Sequence, residues 1–220
     1  MINNKFAFTA VLLLLVAISS TAVAQGYYGG QNSYSTYHKK LAIGLVVNPH
    51  MGWLRFGDND QYDGRRKLGV GYGLLADIGF SENYYFSTGL TINKINGIVS
   101  SPNFESGDRE YSVQYAEIPW TIKLKSDIVN RNSFYGQFGF TTAFKVGAKE
   151  KLETEAKFKD MGSKADLIRL GLQIGGGVEW KLDRNLSLMT GLSFNNGFTR
   201  TIKEGSPRNS YLGVNIGLFF

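Results

Sequence analysis

Bulky apolar residues alternate with small or polar ones along the second half of this chain, in three successive segments of period two. Even positions carry the bulk: Ile168, Leu170, Leu172, Ile174, Val178 and Trp180; then Leu186, Leu188, Leu192, Phe194 and Phe198; then Leu212, Val214, Ile216, Leu218 and Phe220. Odd positions hold Arg169, Gly171, Gln173, Gly175, Gly177 and Glu179, then Ser187, Gly191, Ser193 and Asn195, then Gly213, Asn215 and Gly217. Successive side chains of a strand point to opposite faces, so each segment has one greasy face and one face of glycine and polar groups. No stretch of the mature chain keeps a helical period, so no helix is available to cover the greasy faces.

The same pattern runs through the first half, where Leu68, Val70, Tyr72, Leu74, Ile78 and Phe80 oppose Gly69, Gly71, Gly73, Asp77 and Gly79. In all, eight segments alternate: 41–54, 67–80, 84–95, 111–125, 133–147, 167–182, 186–199 and 211–220. Their connections alternate too, with short or moderate turns at 81–83, 127–132 and 183–185 and long loops around 58–65, 99–109, 149–164 and 200–209. An even number of strands with short turns at one end and long loops at the other predicts an all-β fold. The expected architecture is an eight-stranded antiparallel up-and-down transmembrane β-barrel over residues 41–220, with both termini in the periplasm. Lipid then covers the greasy face, and pairing of the last strand with the first leaves no open edge in hydrocarbon.

The N-terminus supports export. Lys5 precedes an apolar run from Phe6 to Ile18, and small residues at Ala22 and Ala24 mark a cleavage site, so residues 1–24 read as a signal peptide. The run is shorter than the roughly 20 residues a spanning helix needs. Residues 25–40, rich in Gly, Ser and Tyr, read as a flexible periplasmic tail. The absence of Cys excludes both a disulfide framework and a lipid-bearing cysteine. Removing residues 1–24 takes away Lys5 and lowers the formal net charge from +6 to +5, and the basic residues are not gathered into a nucleic-acid footprint.

A soluble lipocalin-type barrel would also alternate, but with its apolar side chains inward. Here the small face holds Asp77, Glu117, Lys123, Lys145, Arg169 and Glu179, a mixture suited to a crowded polar interior. These six residues are the expected interior plug, in which each buried carboxylate needs a cation. Trp53, Trp120 and Trp180 fall on the apolar face as an expected aromatic girdle. Within the segment YAEIPWTIKLK, 115–125, Pro119 lacks an N–H and predicts a bulge or irregular pairing.

That segment, with YYFSTGLTINKING at 84–97 and GGGVEWKLDRNLSLMTGLSF at 175–194, resembles the PorT-like outer-membrane β-barrel family of Bacteroidetes. The clearest element is Tyr-x-Glu-Ile-Pro at Tyr115, Glu117, Ile118 and Pro119, followed by Lys123. Trp120 stands where family members more often carry Leu. The resemblance implies an integral outer-membrane protein, some relatives of which serve type IX secretion. The final Phe220 likewise resembles the C-terminal signal read by the outer-membrane assembly machinery.

Nothing in the sequence points to catalysis or to a cofactor or metal. His38 lies in the tail and His50, near the outer end of the first strand, has no nearby Ser; Asp58, Asp60 and Asp63 are not spaced as a calcium loop, and GVGYG at 69–73 has no helix after it. Lys149, Lys151, Lys157 and Lys159 sit in a loop of mixed charge, where solvation is the ordinary role. The expected protein therefore has a structural, adhesion or envelope-assembly role. A secretion component or a narrow channel is the alternative. Its expected partners are outer-membrane lipids and lipopolysaccharide, the assembly machinery, and envelope or secretion proteins.

Overall fold

The computed structural model describes residues 40–56, 62–102, 104, 107–152, 154–155, 157–162, 165–202 and 206–220; the segment expected to be a signal peptide and all of the expected tail but Lys40 lie outside them. Nine strands follow one another: β1 (Leu41–Arg55), β2 (Asp63–Gly79), β3 (Tyr84–Ser100), β4 (Arg109–Lys125), β5 (Asn132–Leu152), β6 (Lys159–Asp160), β7 (Ile168–Lys181), β8 (Ser187–Arg200) and β9 (Arg208–Phe219). Every pairing is antiparallel. The order β4-β3-β2-β1-β9-β8-β7-β5 closes through a β4–β5 pairing, so eight strands form a barrel and the two-residue β6 only lengthens β5 into a hairpin. Phe220 gives its N–H to the carbonyl of Ile43 at 2.9 Å and accepts the N–H of Ile43 at 3.1 Å, which extends the seam between the last strand and the first.

The alternation predicted from sequence sets which side faces out. Leu68 is 70% exposed, Phe134 67% and Phe140 60%, whereas Asp77, Thr141 and Arg169 are fully buried on the opposite face. A lipocalin-type barrel would have these sides exchanged. The outward band continues around the wall through Leu45, Tyr72, Leu90, Leu172, Leu192 and Leu212, all exposed.

Inward glycines make room for the large side chains between them. A Cβ on Gly171 would lie 2.6 Å from Asn195 Oδ1 and 2.9 Å from Thr141 Oγ1, and one on Gly44 would lie 2.7 Å from the Phe219 ring. A Cβ on the outward Gly136 would meet nothing within 4 Å. Gly171→Val is therefore expected to cost about 1–3 kcal/mol of stability through overpacking. Gly136→Val should be tolerated. The temperature at which the compact, fast-migrating gel band is lost on heating distinguishes the two.

Two expectations need correction, and a third is met in one of its two forms. Strands β2, β3, β4 and β5 extend further toward the long loops than the alternation alone indicated; in the added part of β3 both faces are covered, and Ile98 and Val99 are buried in succession. Of the two outcomes expected at Pro119, irregular pairing is the one found: β4 leaves Ile118 and Pro119 unpaired with β3 and then resumes the same register, while the bulge of the β4–β5 ladder falls elsewhere, between Gln114 and Tyr115. The interior is not polar throughout. Toward the loops it holds an apolar cluster of Leu54, Ile95, Val99, Phe104, Tyr111, Val113, Met161 and Ile202.

Candidate functional site

The interior polar residues form two separate networks at different heights, where the sequence pointed to one plug. The network nearer the loops centres on Glu117 and Arg169. Register places Glu117 opposite Ala143 and Ala143 opposite Arg169, so the small Ala143 leaves a gap across which the guanidinium reaches the carboxylate. Arg169 Nη1 lies 3.0 Å from Glu117 Oε2, and Nη2 donates to Asn195 Oδ1 at 2.5 Å and to the Asn209 carbonyl at 3.1 Å. Glu117 Oε1 accepts from Tyr211 Oη at 2.8 Å and Asn93 Nδ2 at 3.1 Å, so both carboxylate oxygens are satisfied. Asn195 Nδ2 in turn donates to Thr141 Oγ1 at 3.0 Å, and the His50 ring lies 4.7 Å from that of Tyr211.

The second network lies toward the short turns. Lys123 Nζ contacts both oxygens of Asp77, at 2.8 and 2.7 Å, and Ser87 Oγ donates to Asp77 Oδ1 at 2.7 Å. Lys125 Nζ lies 3.3 Å from Asp77 Oδ2 and 2.7 Å from Glu179 Oε2. Aromatic rings close over both ammonium groups: Lys123 is 5.3 Å from the Tyr135 ring centre and 5.2 Å from that of Phe219, and Lys125 is 4.5 Å from that of Tyr85. Such placement supplies a cation–π contribution where little water can reach. Between the networks Asn48 Nδ2 donates to Asn215 Oδ1 at 2.5 Å, and Ser193 Oγ to the same oxygen at 3.2 Å.

Of the six residues picked from sequence, Glu117 and Arg169 meet in one network and Asp77, Lys123 and Glu179 in the other. Lys145 joins neither. It is half-buried, and its amine turns up to the loop carbonyls of Gly162 and Ala165, at 2.9 and 2.5 Å. Sequence reasoning missed Lys125, which shares the parity of Lys123 two residues on, and it missed Tyr211, Asn93, Asn195 and His50. The tryptophans do not form one ring either. Trp53 is near the loop end of β1, stacked on Phe194 at 6.1 Å, and Trp180 is near the turn end of β7, its N–H donated to Thr190 Oγ1 at 2.9 Å. Trp120 stands between Ile118 and Ile122 within the apolar band.

Among the described residues no group of three His, Asp or Glu is placed to hold a metal ion. Asp58 and Asp60 of the acidic loop lie outside the described residues. What the barrel offers chemically is a pair of neutralised ionic clusters inside a closed wall with an apolar exterior.

The family model described as outer membrane protein beta-barrel domain matches residues 23–203. The chain belongs to this family. The outer membrane barrel also has structural relatives: Neisserial surface protein A superposes with a TM-score of 0.50 at 12% identity, covering 81% of this chain and 96% of that one. OprG from Pseudomonas aeruginosa gives 0.46 at 10% identity over 84% and 98% of the two chains, and Ail of Yersinia pestis 0.34 at 13% over 83% and 100%. No curated protein matches the sequence. Family and fold together imply a location in the outer membrane of a Gram-negative bacterium.

Proposed function

We propose that this outer membrane barrel is a closed, non-catalytic anchor with a structural, adhesion or envelope-assembly role, its turns toward the periplasm and its long loops outside the cell. The observation that carries this reading is the filled lumen: two ion-paired networks and an apolar cluster occupy successive levels of an eight-stranded wall, whose interior is wide enough for side chains and little more. Trp53 and Trp180 serve as anchors at the two membrane surfaces. Outer-membrane lipids, lipopolysaccharide and the assembly machinery are its partners. Tyr115, Glu117, Ile118 and Pro119 support the narrower PorT-like reading, in which deletion of the gene would abolish export of type IX cargo.

Purified barrel in planar bilayers is expected to leave the baseline conductance unchanged, and liposomes containing it should not swell in small sugars. Steady wild-type conductance would make it a narrow channel instead.

A further inference from the structure

The register of three neighbouring strands lines up arginines on the outer wall. Arg55 of β1 is directly opposite Arg208 of β9, and Arg208 is directly opposite Arg200 of β8. All three are exposed. Arg66 of β2, also exposed, continues the row with its guanidinium 5.8 Å from the Trp53 ring centre. Like charges directly opposite one another across strands are destabilising, so the row needs an explanation other than sheet stability.

Its neighbours supply little compensation. Asp166 pairs with Arg200 at 2.7 Å, and it is the one carboxylate, among the described residues, that reaches the row. Arg55 donates instead to the amide oxygen of Asn196, which also accepts from Ser210 Oγ at 3.1 Å. Arg208 has no ion-pair partner among the described residues. The lysines of the β5–β6 hairpin contrast with this, since Lys151 pairs with Glu110 at 3.4 Å and Lys159 with Glu155 at 3.7 Å.

Height on the wall identifies the occupant. Immediately toward the turns lie Trp53, half-buried and stacked on Phe194, and the exposed Met51, Leu68 and Leu212 of the apolar band. The row therefore sits where hydrocarbon gives way to headgroups, and its guanidinium forks match phosphate oxygens two at a time.

We propose that Arg55, Arg200 and Arg208, with Arg66 beside them, form a binding site for the phosphorylated headgroup of an outer-leaflet lipid. The commitment to the outer leaflet rests on the proposed orientation of the loops.

The mature barrel, folded in neutral detergent, is titrated with bisphosphorylated lipid A, with enzymatically dephosphorylated lipid A and with inorganic phosphate, and bound lipid is counted by native mass spectrometry. Wild type should bind the phosphorylated lipid, should bind the dephosphorylated one far more weakly, and should not release lipid to millimolar phosphate. The variant R55Q/R200Q/R208Q should weaken binding by about tenfold or more. R55K/R200K/R208K, which keeps the charge and loses the fork, should fall between, and R184Q in a turn should bind as wild type. Heat-modified migration on gels confirms that each variant is folded. Equal binding by R55Q/R200Q/R208Q, equal binding of dephosphorylated lipid, or displacement by free phosphate would overturn the site. Labelling of loop cysteines on intact cells tests the orientation separately, and its failure would leave the micelle titration standing while moving the site to the other leaflet.

Discussion

Arg169→Met is expected to lower the unfolding free energy of the folded barrel by about 3–5 kcal/mol, the usual effect of removing one partner from a buried ion pair. The Arg169 side chain has no exposed surface and that of Glu117 only 3%. Without the guanidinium, the carboxylate keeps only two neutral donors, Asn93 and Tyr211. Asn195 Oδ1 and the Asn209 carbonyl lose donors at the same time. Urea titration of the barrel in lipid vesicles, followed by tryptophan fluorescence, measures the loss.

The companion E117Q/R169M decides the cause. It removes the charge as well as its counter-charge, and replacing a buried pair outright is often near neutral. The double variant should therefore recover most of the stability lost by R169M alone. Equal losses would mean that Arg169 acts through packing and its contacts to Asn195 and Asn209. R169K should also destabilise, because a single ammonium group cannot reach Glu117, Asn195 and Asn209 together.

The architecture was legible because lipid enforces a strict rule along each strand. Leu172 and Gly171, or Phe138 and Gln137, differ in kind because one faces acyl chains and the other a crowded lumen, and that difference is written residue by residue. Inward parity likewise exposed Asp77, Glu117, Lys123, Arg169 and Glu179. It could not tell which carboxylate meets which cation, since Glu117 and Arg169 are brought together by the registers of two successive strand pairs. Lys145 shows the limit of parity. It is paired with Tyr115 on the inward side, but the bulge next to it and the loop above draw its amine upward. The apolar cluster was hidden for a related reason. Where strands rise beyond the band and loops cover them, Ile98 and Val99 are both buried and alternation ceases to carry information.

Asp77→Asn should be comparably damaging, again about 3–5 kcal/mol, and its consequence differs because the lower network contains two cations. Among the described residues Asp77 is the one carboxylate that pairs with the Lys123 amine, and the Lys123 side chain is 1% exposed. Lys125 has Glu179 as a second partner at 2.7 Å. Neutralising Asp77 therefore strands Lys123 in full while Lys125 keeps one counter-ion, and the two ammonium groups lose the carboxylate that both of them share. Glu179→Gln leaves Asp77 in contact with both lysines and should cost appreciably less. D77N/K123M removes the stranded charge and should recover most of the loss in the same urea titration. If D77N and E179Q prove equally harmful, the shared carboxylate is not the centre of this network. If D77N/K123M is no better than D77N, the interior at this level is held by the contacts of the Lys123 amine with the Tyr135 and Phe219 rings and the Met189 sulfur, and the ion pair is incidental to it.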